Sequence, residues 1–340
     1  MPVTRPNAQR TTRADVAKEA GTSVAVVSYV VNNGPRPVAP ATRERVLAAI
    51  KKTGYRPNNV ARALASGTTK TYGLVVPNIN NAFIASLANA LQQEAQANDM
   101  VMLLGDSGDN RTRELQLINN LLGQQVNGLI YTSVDRHPYI DILQASNTPF
   151  VMLDRVDPDL QVSVLRVDER GASRQVTAHL LSHGYQDIGI ISGPLEMLNA
   201  QDRLQGWRDA LAAQGITAHE AWIFPAPYTR SGGYQAARQM MQSAHRPRAL
   251  FTANEAQAIG CIRALSEQGI RVPQDIALVC FNGTEQSAFH VPSLTTVRQP
   301  VQEIAKTAIK MLAAWTGETT LREFSHQLEI GESCGCKLAR

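Results

Sequence analysis

Two places in the 340-residue sequence group side chains capable of metal or acid–base chemistry. Cys334-Gly-Cys336 offers two thiols, which are soft metal ligands. A tetrahedral site needs four ligands, however, and no second cluster accompanies the pair along the chain. Asp168-Glu169 offers adjacent carboxylates, but the pair opens a helical stretch, where acidic residues suit the helix dipole. There is no Gly-x-Gly-x-x-Gly after a strand, no Walker loop, no Gly-x-Ser-x-Gly elbow and no His-Glu-x-x-His. The expectation is a protein that is not an enzyme, with no catalytic residue, no metal and no cofactor. What remains is recognition chemistry, and it concentrates in DVAKEAGTSVAVVSYVVN, residues 15–32.

At about 100° per residue, Val26, Val27, Val30 and Val31 fall on one arc of a helix over 23–32. Val24, Ala25, Ser28, Tyr29 and Asn32 fall on the other. The second arc faces outward yet carries no charge, which is unusual for a solvated helix. Upstream, Thr12 and Asp15 form a capping-box start for a helix over 13–20, with Ala14, Val16, Ala17 and Ala20 as its small apolar contacts. Gly21 suits the left-handed conformation that ends that helix, and Ser23 caps the next. Two short helices joined by a glycine turn form a helix-turn-helix, whose second helix lies in the DNA major groove. An uncharged face suits base edges, where hydrogen bonds and thymine methyls are read.

The charge distribution agrees. Residues 1–70 hold 12 Lys and Arg against 3 acidic residues, a net of +9, and the remainder carries a net of −5. The cationic charge therefore sits where phosphate contacts would be made. Four cysteines in so long a chain give no disulfide framework. Neither a secretory signal nor an apolar run of about 20 residues is present, so a cytoplasmic, nucleoid-associated protein is expected, with no membrane partner.

These residues need elements to hold them. A third helix is expected over 41–53, with Val46, Leu47 and Ile50 inward and Gly54 stopping it. Asn58–Ala65 has good helix formers but only about two turns, and such a segment is marginal alone. From Tyr72, apolar runs at 72–77, 100–106, 128–133, 149–154, 188–193, 249–254 and 276–282 alternate with helical stretches at 83–98, 112–125, 169–182, 201–214, 232–243 and 256–268. This alternation predicts parallel sheets flanked by helices, an α/β core of two adjacent subdomains. Ligands in such sheets bind beyond the strand ends, here Pro77-Asn78, Asp106, Asp154, Gly193, Asn254 and Asn282.

DVAKEAGTSVAVVSYVVN, RERVLAAIKKTGYRPNNVARALASG, SGPLEMLNAQDRLQGW and VPQDIALV…LTTVRQP together resemble the LacI/GalR family of bacterial transcriptional repressors, over about residues 12 to 337. The resemblance implies a helix-turn-helix headpiece over 1–57, with 1–11 a disordered tail. A hinge helix and linker would follow over 58–71. It implies a periplasmic-binding-protein-like core over 72–340, divided into 72–166 with 299–322 and 167–298 with 323–340. It also implies a homodimer on a pseudopalindromic double-stranded DNA operator, controlled by a small-molecule effector.

By the same resemblance, Val24, Ala25 and Tyr29 match base-reading positions, and Ser23, Ser28 and Asn32 lie near bases and backbone. Thr12 and Asn58 complete the headpiece contacts. Val60, Ala61 and Leu64 match a minor-groove face, Leu64 as a wedge that kinks the duplex, and Arg62 a phosphate contact. Phe83, Asp154, Arg203, Tyr228, Asn254 and Asn282 match effector-pocket positions. Many sugar-binding relatives have Asp at the position of Asn282. The expected effector is a sugar, sugar phosphate or related compound, and an amide at that position, with Arg203 kept, makes an anionic ligand such as a sugar phosphate or acid more credible beside a neutral sugar. The alternative, a periplasmic solute-binding protein, would require an export signal.

Overall fold

A computed structural model describes residues 11–32, 34, 36–58, 63, 68–154, 157 and 160–336. The chain divides into two compact units, Met1–Thr69 and Lys70–Arg340.

In the first unit, α1 (Arg13–Ala20) starts at a complete capping box. The Thr12 hydroxyl accepts from the Asp15 backbone N–H at 3.3 Å, and Asp15 accepts from the Thr12 N–H at 2.8 Å. Gly21 ends the helix in the left-handed region, φ +61°, where a Cβ would add strain. Helix α2 (Val24–Asn32) follows after three residues, with the Ser23 hydroxyl accepting from the Val26 N–H, and α3 spans Pro40–Thr53. Val16, Ala17 and Ala20 of α1, Val27 and Val30 of α2, and Val46 and Ala49 of α3 close a small core with Tyr55. Ala14 and Leu47 depart from expectation. Ala14 is exposed and Leu47 is 50% exposed. The buried stripe of α3 runs through positions 46, 49 and 50, and Leu47 lies a quarter-turn off it.

The second unit contains two six-stranded sheets. The first holds β1 (Thr71–Val76), β2 (Val101–Asp106), β3 (Leu129–Tyr131), β4 (Phe150–Leu153), β5 (Val164–Val167) and β11 (Leu321–Phe324), in the order β11-β5-β4-β3-β1-β2, all parallel. Helices α4 (Ala82–Ala97) and α11 (Val301–Ala313) pack one face through Leu87, Leu91, Ile304 and Ile309. Helices α5 (Arg111–Gly123) and α6 (Ile140–Ala145) pack the other through Ile118 and Leu143. Strand residues alternate accordingly, Leu74 and Val76 to one side and Val75 to the other.

The second sheet holds β6 (Ile188–Ser192), β7 (Ile223–Pro225), β8 (Ala249–Thr252), β9 (Ala277–Phe281), β10 (Thr295–Arg298) and β12 (Gln327–Glu329). Its order is β12-β10-β9-β8-β6-β7, with only β12 antiparallel. Helices α7 (Glu169–Ser182) and α8 (Leu198–Ala212) cover one face with Val176, Leu180 and Trp207. Helices α9 (Arg230–Met241) and α10 (Glu255–Ser266) cover the other with Met240, Cys261 and Leu265. Five strands absent from the sequence expectation, β5, β7, β10, β11 and β12, read VLRV, IFP, TTVR, LREF and QLE; each is short and carries a polar residue or proline, so none shows as an apolar run.

The chain passes from the first sheet to the second after β5, returns after β10 and crosses again after β11. The first sheet thus runs through Val167 and includes Glu323 and Phe324. Strand ends of both sheets meet a common cleft, as open α/β sheets require of a ligand site.

Candidate functional site

The headpiece places its uncharged arc outward. Ser23, Val24, Ala25 and Asn32 are exposed, Val24 by 46%, and Ser28 and Tyr29 are half-buried. The Asn32 amide donates to the Ser28 hydroxyl at 3.2 Å, so the two polar groups of this face are held together. Tyr29 packs over Gly34, where a Cβ would meet the ring at 2.6 Å. Thr12 is occupied as the α1 cap, and Asn58 is exposed. Val60, Ala61, Arg62 and Leu64, with most of the expected hinge helix, lie outside the described residues, as do residues 1–10 of the tail expected over 1–11; Thr11 is described, and its hydroxyl donates to the Thr53 carbonyl at 3.1 Å.

In the core, the cleft is a cavity of about 680 Å³. All six residues singled out from the sequence line it: Phe83, Asp154, Arg203, Tyr228, Asn254 and Asn282. Phe83 stands on the first turn of α4, capped by the Asn81 side chain. Asp154 and Asn282 follow β4 and β9 with φ of +75° and +58°. Two non-glycine residues held in the left-handed region at strand ends mark a site whose surroundings over-determine them. Gly193, ending β6, lets Tyr228 approach, since a Cβ there would lie 2.2 Å from the phenol.

Arg203 is 2% exposed, and its charge is already met inside the protein. Its Nε donates to Glu169 Oε2 at 2.6 Å and its Nη1 to the Ala253 carbonyl at 2.6 Å. Its guanidinium lies 4.1 Å over the Phe281 ring. Burial pushes the Glu169 carboxyl up to about 7 although Arg203 pulls it down, while Glu169 holds the guanidinium cationic. Burial also raises the Tyr228 hydroxyl, which stays protonated and donates to Asn199 Oδ1 at 3.1 Å. Asn199 in turn donates to Asp154 Oδ2 at 2.7 Å, a bond from the second lobe to the first. Asn254 caps α10, accepting from the Gln257 N–H at 2.8 Å and donating to the Tyr228 carbonyl at 3.1 Å. Asn282 accepts from Gln299 at 2.6 Å.

Sequence reasoning missed Glu169 and Asn199. Asp168-Glu169 does open a helix, with Asp168 as its cap. Its second carboxylate nonetheless turns into the cleft. Asn199 stands four residues before Arg203, and that spacing puts both on one face of α8. The internal neutralisation of Arg203 removes the reason for expecting an anionic ligand.

Residues 12–58 match the family model described as bacterial regulatory proteins, lacI family, and residues 177–334 match the periplasmic binding protein-like domain. Catabolite control protein A of Priestia megaterium is 33% identical over 325 residues, 94% of this chain and 98% of that protein. The chain belongs to the lacI family. It is a DNA-binding transcriptional regulator of that family, and its fold agrees with solved members. A lac repressor dimer bound to operator and the anti-inducer ONPF is 27% identical with a TM-score of 0.82, covering 96% of this chain and 99% of that one. A transcriptional regulator CelR–cellobiose complex is 30% identical with a TM-score of 0.72, covering 95% of this chain and all of the other. Among the described residues of the regulator, no helix is long and apolar enough to cross a membrane.

Proposed function

We propose that the regulator is a homodimeric cytoplasmic repressor, releasing or gripping a pseudopalindromic operator in response to a small neutral polyhydroxylated effector of the sugar class. The observation that carries the effector class is the Arg203–Glu169 pair. With the guanidinium matched by a buried carboxylate, Arg203 itself offers an anion little reward, and of the two other arginines lining the cleft Arg166 is paired with Glu323 and Arg230 stands on the first turn of α9. The cleft walls instead offer what hydroxyl-rich ligands use: Phe83 and Tyr228 as apolar faces, and the Asn282 and Gln299 amides as donors and acceptors. The relatives support the class, one having been solved with cellobiose. Asn254, with both amide atoms engaged, positions the cleft from behind.

On DNA, Val24 and Ala25 supply methyl contacts and Tyr29, Ser28 and Asn32 supply polar ones, with Ser23 and Thr12 at the backbone. Val60, Ala61 and Leu64 form the minor-groove set by their match to the family motif, with Arg62 at a phosphate and Asn58 as a further DNA contact. The division into headpiece, hinge and two-lobed core follows the same reading.

The test is a thermal-shift screen of neutral sugars, sugar phosphates and nucleosides, followed by fluorescence anisotropy on a selected operator with each hit. A neutral sugar should raise the melting temperature and change operator affinity by about 5–150-fold, and Phe83→Ala should abolish both effects. Sugar phosphates alone as hits would overturn the effector class. The absence of any preference for a two-fold operator over scrambled duplex would overturn the DNA reading.

A further inference from the structure

We propose that the second lobe holds a metal site of the Cys2His2 type, selective for zinc(II), formed by His179 in the last turn of α7 and His183, the residue that caps its C-terminal end, with Cys334 and Cys336. The sequence separates these pairs by about 150 residues, and the fold brings them together. The four ligand atoms lie within 4.8 Å of one another. Cys334 and Cys336 Sγ are 3.3 Å apart, and Cys336 Sγ lies 3.5 Å from His179 Nε2 and 3.2 Å from His183 Nε2.

Those distances are the edges of a coordination tetrahedron. With Zn–S bonds of about 2.3 Å and Zn–N bonds of about 2.0 Å, tetrahedral angles give edges of roughly 3.8 Å between sulfurs, 3.6 Å from sulfur to nitrogen and 3.3 Å between nitrogens. The three measured separations fall within about 0.5 Å of these edges, and the other three lie within 4.8 Å, distances that rotation of the side chains can bring to the tetrahedral values. His179 and His183 are four apart across the C-terminal end of α7, a spacing close to one helical turn that brings two imidazoles toward one ion. Gly335, at φ +92°, turns the chain so that both thiols face α7. Cys334 is fully buried and accepts from the Thr295 hydroxyl at 3.0 Å, an outer bond of the kind that orients a thiolate ligand.

The ligand set also decides the ion and its role. Two thiolates and two neutral imidazoles balance a divalent charge, each thiol giving its proton to solvent, so the half-buried site gains no net charge. Mixed sulfur and nitrogen donors in a tetrahedron favour zinc over magnesium, calcium or manganese. Four protein ligands leave no open position, which makes the site structural: it staples the segment after β12 to α7.

The experiment uses the full-length protein, prepared metal-free under reducing conditions and titrated with cobalt(II), then zinc(II). One equivalent of cobalt should give the intense d–d bands of a tetrahedral ion with thiolate-to-cobalt charge transfer, and one zinc per chain should bleach them. Zinc should also raise the melting temperature, and a chelator should lower it again. His183→Gln, at an exposed position that the fold does not need, and Cys336→Ser should each weaken binding at least about tenfold with an unchanged circular-dichroism spectrum. No tetrahedral spectrum at one equivalent, a spectrum retained by both variants, or a Cys334–Cys336 disulfide in place of metal uptake would each overturn the proposal.

Discussion

Removing either partner of the Arg203–Glu169 pair should destabilise the second lobe, but by different amounts and with opposite behaviour toward pH. The side chains are 3% and 4% exposed, so neither lost charge is replaced by solvent. Glu169→Leu strands a guanidinium that cannot give up its proton, and breaking a buried pair in this way costs about 3–5 kcal/mol. At about pH 8 that should lower the melting temperature by roughly 10 °C. Arg203→Met leaves a carboxyl that escapes by binding a proton. Its cost near pH 6 is then the lost hydrogen bonds, about 1–3 kcal/mol. An acid whose pKa is raised on folding contributes stability that is full below its unfolded value, near 4.5, and is lost as pH rises through the folded value, here about 7. Without Arg203 the folded value moves higher still. The native protein's loss therefore ends near 7 while the variant's continues, and the Arg203→Met penalty should grow by up to about 1.4 kcal/mol per pH unit above that point. Urea unfolding followed by the fluorescence of buried Trp207, at several pH values, reads both effects. A Glu169→Leu penalty under about 1 kcal/mol at pH 8, or an Arg203→Met penalty that stays flat as pH rises past 7, would refute the reasoning.

Three further outcomes follow from other parts of the molecule. Val24→Gln, at a site 46% exposed, should leave stability within about 0.5 kcal/mol yet change the preferred base at one operator position by about 1–3 kcal/mol, measured across single-base-pair operator variants. Thr12→Ala removes the cap of α1 and should destabilise the headpiece by about 0.5–2 kcal/mol, with Thr12→Ser restoring it; the headpiece melt by circular dichroism checks this. Gly260→Ala would place a Cβ 1.8 Å from the Arg230 carbonyl oxygen, forcing α9 and α10 apart; an overpacking cost of about 1–3 kcal/mol should show as a lowered urea midpoint.

The headpiece was legible almost residue by residue because its signals are local. A capping box, a left-handed glycine and a 3.6-residue stripe all act within one or two turns, and they located α1, α2 and the outward face of Val24 and Ala25. Leu47 went astray because periodicity names a stripe without saying which flank meets a neighbour. In the core, the long buried strands and intervening helices were visible as apolar alternation, but β5, β7, β10, β11 and β12 draw their stability from partners far along the chain. The cleft divides the same way. Asp154, Asn254 and Asn282 follow strands, where α/β geometry places ligand contacts, whereas Phe83, Arg203 and Tyr228 were expected only through the resemblance to the family, and Arg203 lies within α8. Glu169 and the His–Cys cluster were hidden because their meaning depends on what the fold sets beside them. A carboxylate pair at a helix start looks the same whether its second member faces water or an arginine.

That hidden partner also bears on how the cleft could act as a switch. The chain passes between the two lobes three times, and the hydrogen bond from Asn199 to Asp154 joins the start of α8 in the second lobe to the end of β4 in the first, across the cavity. A protein–protein hydrogen bond exchanged for one to water or ligand changes stability by only about 0.5–1.5 kcal/mol. The lobes are therefore held across the cleft by an interaction comparable in size to what a ligand can add on one side. A ligand resting on Phe83 from the first lobe and Tyr228 from the second shifts the equilibrium only by its differential affinity for the two arrangements. The buried Arg203–Glu169 pair is different in kind. It sits within the second lobe and stays whole in either arrangement, so it fixes the chemistry of the pocket while the Asp154–Asn199 contact sets how easily the pocket opens. On the function proposed above, a charged anchor kept within one lobe and a weak contact across the cleft would together let a ligand of modest affinity reset the lobes, and a coupling of about 1–3 kcal/mol to DNA requires no more.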